Sequence, residues 1–180
     1  MAIVFELVIN FGLDRGAADD AVRLVRTHPP VTAGKHRVLL HDPLLNVVRG
    51  IGGEPHVEMS IVPARVGWNV GLDRGDARLA LTAAELTELG AGLYQLLRQL
   101  TDYRVAQVGW DPEGLVDLAE LEQEWADEIA AGQMNGLVLA EDMRHQLVTD
   151  AFEPFAVGFI WIPYRGDPRT SLAADEPPGT

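Results

Sequence analysis

The sequence predicts an α+β fold: a single domain whose mixed, mostly antiparallel sheet is covered on one face by two long helices. Three observations carry this. Several segments alternate apolar and polar residues with period two, as strands with one buried face do. Two longer segments place apolar residues at helical spacing. The chain has 180 residues, 47% of them hydrophobic, which is enough for one well-buried core and short for two ordinary domains. The domain is expected over residues 1–165. Residues 166–180, rich in Asp, Pro, Arg, Thr and Ala, read as a disordered tail. Alternating strands with two such helices suggest a ferredoxin-like core with additions.

The first strand is set by Phe5, Leu7, Ile9 and Phe11, which alternate with Glu6, Val8 and Asn10. Asp14 opens a helix carrying Ala18, Ala21, Val22 and Val25, ended after His28 by Pro29 and Pro30, which cannot continue it. A second strand is expected at 36–41, up to Asp42-Pro43. Gly50, Gly52 and Gly53 turn the chain into a third, where Val57, Met59 and Ile61 alternate with His56, Glu58 and Ser60. Residues 66–70 and 77–81 continue the antiparallel meander. Thr82 and Glu85 match a capping box, with Leu81 and Leu86 as its hydrophobic staple, and a leucine stripe runs on to Leu100. A strand at 103–110 follows, then a second long helix from Asp111-Pro112 through Ile129. After a short apolar stretch at 137–140 and a helical piece around 142–147, residues 155–164 read as a central strand, apolar on both faces.

Charge is distributed unevenly. Ten carboxylates and no lysine or arginine lie between Arg104 and Arg144, and they carry −10 of the formal net charge of −13. Such a field attracts a basic partner and repels nucleic acid. At 100° per residue, the second long helix gathers Leu115, Leu118, Leu121, Trp125 and Ile129 on one face. Asp117, Glu120, Glu124, Asp127 and Glu128, extended by Glu113, form an acidic ridge on the other. Carboxylates three and four apart repel one another, and no lysine alternates with them. The ridge is therefore expected to meet a basic protein, on the logic of an immunity or antitoxin-type inhibitor that imitates a polyanion. Glu122 projects into the apolar stripe, where a carboxylate needs a base, a hydrogen bond or a raised pKa.

A competing expectation is a small-molecule or metal-binding pocket, or an enzyme site, built from His41, His56, Glu58 and Glu122. His56 and Glu58 are two apart on a strand and share a face, and two histidines with a carboxylate are a known metal-ligand set. No metal, cofactor or catalytic residue is assigned. The chain lacks a Walker-type loop, a His-Glu-x-x-His helix and a nucleophile elbow, with Ser60 held between Met59 and Ile61. An enzyme is thus the less expected outcome. Nucleic-acid binding is not expected either, since Lys35 is the only lysine and the thirteen arginines form no basic stripe.

With no cysteine, disulfides and thiolate chemistry are excluded, and a cytoplasmic setting is expected. No segment is long enough to span a bilayer, so no membrane association is expected. Finally, Asn-Phe-Gly-Leu-Asp-Arg-Gly at 10–16 and Asn-Val-Gly-Leu-Asp-Arg-Gly at 69–75 differ at one position. They read either as a duplicated unit or paired loops lining one site, with Asp14, Arg15, Asp73 and Arg74 at its rim, or as two separate turns with ordinary turn chemistry.

Overall fold

Two antiparallel ladders flank the first strand, and this central position organises the rest. The computed structural model describes residues 2–147, 149–167 and 172–174. In chain order its elements are β1 (Phe5–Asn10), α1 (Arg15–Arg26), β2 (Val31–Ala33), β3 (His36–Val38), β4 (Leu44–Arg49), β5 (Pro55–Ile61), α2 (Ala83–Leu97), β6 (Val105–Trp110), α3 (Leu118–Glu124), α4 (Ala126–Ala130), β7 (Val138–Ala140), β8 (Glu153–Ala156) and β9 (Phe159–Trp161). Short 3-10 turns occupy Gly71–Asp73, Glu113–Val116 and Glu141–Met143. Seven strands form one sheet in the order β4-β5-β1-β6-β7-β9-β8, each antiparallel to its neighbours. β2 and β3 form a separate hairpin. The path β1-α1-β4-β5-α2-β6, with these four strands adjacent in the order β4-β5-β1-β6, is a βαββαβ arrangement.

The alternation in β1 is why the sheet has two unlike faces. Phe5, Leu7 and Ile9 point into a core with Met59 and Ile61 of β5, Ala18, Ala21 and Val25 of α1, and the leucine stripe of α2. Each large apolar side chain buried there contributes about 1.5–3 kcal/mol. Val8 points the other way, into a second core with Val105, Leu139 and Ile160, closed by Val116, Leu121 and Ile129. The two helical segments expected on one face therefore lie on opposite faces. The alternation that sends Leu7 towards α2 sends Val8 towards the acidic segment.

That segment is also not one long helix. It is a 3-10 turn at Glu113–Val116, then α3, then α4. Asp117 breaks it with an extended backbone (ψ 115°), and its side chain caps α3 by accepting from the Ala119 N–H at 3.1 Å. Aspartate competes well for such capping geometry, and crowded like charges weaken the continuous alternative. α2, with fifteen residues, keeps its capping box at Thr82 and Glu85.

Other differences are local. Residues 66–70 form only an isolated bridge between Trp68 and Ile3, and 77–81 form no strand. The expected central strand at 155–164 is instead a tight hairpin of β8 and β9, turned at the fully exposed Val157 and at Gly158, whose φ of +79° suits glycine. β4 occupies residues that the sequence pattern leaves between Asp42-Pro43 and the glycine turn. Of the expected tail, residues 168–171 and 175–180 lie outside the described residues. Asp167 N–H donates to Thr87 Oγ1 at 3.0 Å, and Ala174 bridges to Thr82.

Candidate functional site

The second face of the sheet changes character across its width. Over β7 and β9 it is apolar, with Leu139 and Ile160 under the acidic segment. Over β5, β1 and β6 the same face carries Glu6, Asn10, His56, Glu58, Ser60 and Gln107, all of them buried. The register makes them neighbours: Asn10 lies opposite Glu58, and Val8 lies between Ser60 and Gln107. Burying so much polarity is costly unless each group is paired.

Asn10 is paired. Its Nδ2 donates to the Val116 carbonyl at 2.8 Å and its Oδ1 accepts from the Gly12 N–H at 2.7 Å, which pins the turn Glu113–Val116 across β1. The Glu6 carboxyl accepts from the Ser60 hydroxyl but is raised to about 7, first by burial and then by the charges of Glu113, Asp111 and Glu58. His56 Nε2 stands 3.7 Å from Glu58 Oε2, beyond hydrogen-bond reach, and has no hydrogen-bond partner. The Gln107 Oε1 is also unpartnered, while its Nε2 donates to the Asn135 carbonyl at 2.7 Å.

Beside His56 a cavity of about 370 Å³ opens at the end of β1 and β5, lined among others by Asn10, Arg104, Asp117, Leu118 and Glu122. A larger cavity of about 720 Å³ lies beyond Gly12 and Arg104, with Asp14, Asp102 and Tyr103 in its wall. Arg104 lies in the walls of both and faces Asp142 at 3.6 Å.

Of the residues expected to form a pocket, His56, Glu58 and Glu122 converge on this end of the sheet. Glu122 is exposed rather than inserted in the apolar stripe, because α3 ends at Glu124 and buries only Leu121, and the non-helical Trp125 takes Ile129 onto a separate helix. His41 lies elsewhere. Its Nε2 is 2.8 Å from Asp73 Oδ1, an oxygen that also accepts from the Arg65 N–H at 2.8 Å. Among the described residues no group of three or more histidine and acidic side chains could hold a metal ion. The two echoed heptads also part company: Asp14 caps α1 through the Ala17 N–H and lines the larger cavity, whereas Asp73 lies in a separate cavity with Trp68 and Arg78. Glu6, Asn10, Ser60 and Gln107 are not among the site residues expected from sequence. Their signal is polar residues spaced by two on strands whose pairing a single sequence does not reveal.

The acidic ridge is rearranged by the break. Asp117 turns inward, where its Oδ2 accepts from the Ile51 N–H at 2.7 Å. Glu120 and Glu128 are half-buried, and Glu113, Glu124 and Asp127 are exposed. Among the described residues no lysine, arginine or histidine nitrogen lies within 4.0 Å of any carboxylate between Asp111 and Glu128.

Fold and site together define an α+β protein with a wide antiparallel sheet, one polar buried patch and an unneutralised acidic segment lying over it. No family model, curated protein or solved structure matches the chain. No helix among the described residues is long and apolar enough to cross a membrane.

Proposed function

We propose that the chain is a cytoplasmic binding protein that engages a basic protein partner through Glu113, Glu120, Glu124, Asp127 and Glu128, with Asp117 holding that surface in place. An immunity or antitoxin-type inhibitor is the concrete form of this reading. The observation that carries it is the lack of any counter-ion within reach of this segment among the described residues. Eight carboxylates crowded without bases repel each other and Glu6, and a cationic surface would relieve that repulsion. The βαββαβ path and its strand order support a ferredoxin-like core beneath this surface. The absence of cysteine suits a reducing compartment.

The test is a pull-down with the tagged chain from lysate of its source organism, eluted by a salt gradient, beside the triple variant Glu120→Lys, Glu124→Lys, Asp127→Lys. A basic protein released at raised salt, and lost from the variant while its circular dichroism is unchanged, supports the reading. Equal capture by the variant rejects it.

A second reading, a small-molecule pocket, is favoured by one observation: the unpartnered His56 Nε2 beside Glu58 at a cavity of about 370 Å³. A ligand there would raise the melting temperature by mass action, and His56→Ala would abolish that shift. A metabolite and metal thermal-shift screen in which nothing stabilises the chain rejects it.

A further inference from the structure

The two edges of the large sheet are guarded very differently. An exposed edge presents unpaired N–H and C=O groups that template association, and proteins blunt it with charge, proline, bulges or short length. β8 uses all four devices: it has four residues, begins Glu153-Pro154 and carries a bulge between Pro154 and Ala156. β4, at the opposite edge, has no proline and no bulge, and its one charge stands at its last residue. It runs Leu-Leu-Asn-Val-Val-Arg over six residues in unbroken register with β5, uncharged until Arg49. Leu44 and Val47 on it are 41% and 68% exposed, and Leu39 and Ile51, also exposed, flank it.

The outward backbone groups of β4 follow from its neighbour. On β5, Val57 exchanges hydrogen bonds with Phe11 and Gly12 on the β1 side, and Val62 just beyond it accepts from His41 on the other side. Odd-numbered residues of β5 therefore bond towards β1 and even-numbered ones towards β4. Glu58 and Ser60 pair with Asn46 and Leu44, so Leu44, Asn46 and Val48 bond inward. Leu45, Val47 and Arg49 turn their N–H and C=O outward.

We propose that β4 pairs with β4 of a second copy of this chain, about a two-fold axis through Asn46, to give one continuous fourteen-stranded sheet. In this register Leu45 meets Val47 of the other copy and Leu44 meets Val48, apolar against apolar on both faces. Leu45 and Val47 exchange the N–H and C=O groups that each strand turns outward. The acid-free edge and the opposite charges at its two ends argue for a second copy as the occupant. A chain of net charge −13 repels itself, so self-contact must avoid its acids, and residues 44–49 contain none. The pairing also brings Arg49 of each copy towards Asp42 of the other, opposite charges at both ends of the interface.

Sedimentation equilibrium from low to high micromolar concentration, at physiological salt, tests this. The wild type is expected at twice the 19.6 kDa chain mass. Val47→Pro removes an outward N–H and leaves the ladder to β5 intact, and Val47→Lys places a charge against its own copy. Both are expected at the monomer mass, with the wild-type circular dichroism spectrum. A wild type that stays monomeric throughout would leave the edge to a strand of another protein and overturn the proposal. So would a dimer that persists in a folded Val47→Lys variant.

Discussion

Asp117 accepts a hydrogen bond from the Ile51 backbone N–H at 2.7 Å, a contact between the acidic segment and the β4–β5 turn across sixty-six residues of chain. The same carboxylate caps α3 through Ala119. One side chain thus breaks the segment, starts its helix and holds it to the sheet.

Replacing Asp117 with alanine should therefore cost more than an ordinary cap, whose loss is worth about 1 kcal/mol. With the Ile51 N–H also left without its acceptor, the melting temperature is expected to fall by roughly 3–8 °C. Asp117→Asn keeps one acceptor oxygen, enough for either the Ala119 or the Ile51 N–H but not both, and should recover part of the loss. Differential scanning calorimetry of the two variants distinguishes the cap from a generic effect of charge.

Glu6 offers a pH signature. Its carboxyl is raised from 4.5 to about 7 in the folded chain, so between those values the folded state holds a proton that the unfolded state has released. The stability it contributes is full below about 4.5 and is lost as pH rises through about 7. Glu6→Gln should flatten this part of the urea-unfolding profile and be the more stable protein above neutrality. A slope unchanged by the substitution would contradict the shift.

Salt should stabilise the free protein. Screening acts over about 10 Å at 0.1 M ionic strength, the scale on which the carboxylates of residues 111–128 repel. The melting temperature is expected to rise with sodium chloride, and the rise should shrink in Glu120→Gln, Glu124→Gln. An equal rise in that double variant would place the repulsion elsewhere.

Tyr94 ties three elements together. Its hydroxyl donates to the Gly136 carbonyl at 2.8 Å and accepts from the Val108 N–H at 3.2 Å, and burial pushes its pKa up. Tyr94→Phe leaves both backbone groups unpaired in the core, a loss of about 1–3 kcal/mol. Chemical denaturation should show a lower midpoint with an unchanged slope, as expected when the surface exposed on unfolding is the same.

Sequence patterns located β1 and β5 because each has one face against α1 and α2, which forces apolar residues to every second position. They also located α2, whose capping box depends only on residues three apart. β4 was not legible, since Leu44, Leu45, Val47 and Val48 follow no period on an edge strand with neither face fully covered. The break at Asp117 was hidden for a different reason: a helical wheel sorts residues by face and is blind to an aspartate that is also held by a backbone N–H sixty-six residues away. The site was half visible. His56, Glu58 and Ser60 share a face by strand geometry alone, but adding Glu6 and Asn10 requires knowing that β1 pairs with β5 in this register.

The central place of β1 also has a cost in time. It precedes every other strand of its sheet in the chain and it lies between β5 and β6, with Phe5 opposite Trp110. Synthesis at about 5–20 residues per second leaves one edge of Phe-Glu-Leu-Val-Ile-Asn without its partner β6 for roughly 5–20 s, even after β5 is made. Nascent chains of this protein should therefore depend on holdase chaperones until β6 has left the ribosome.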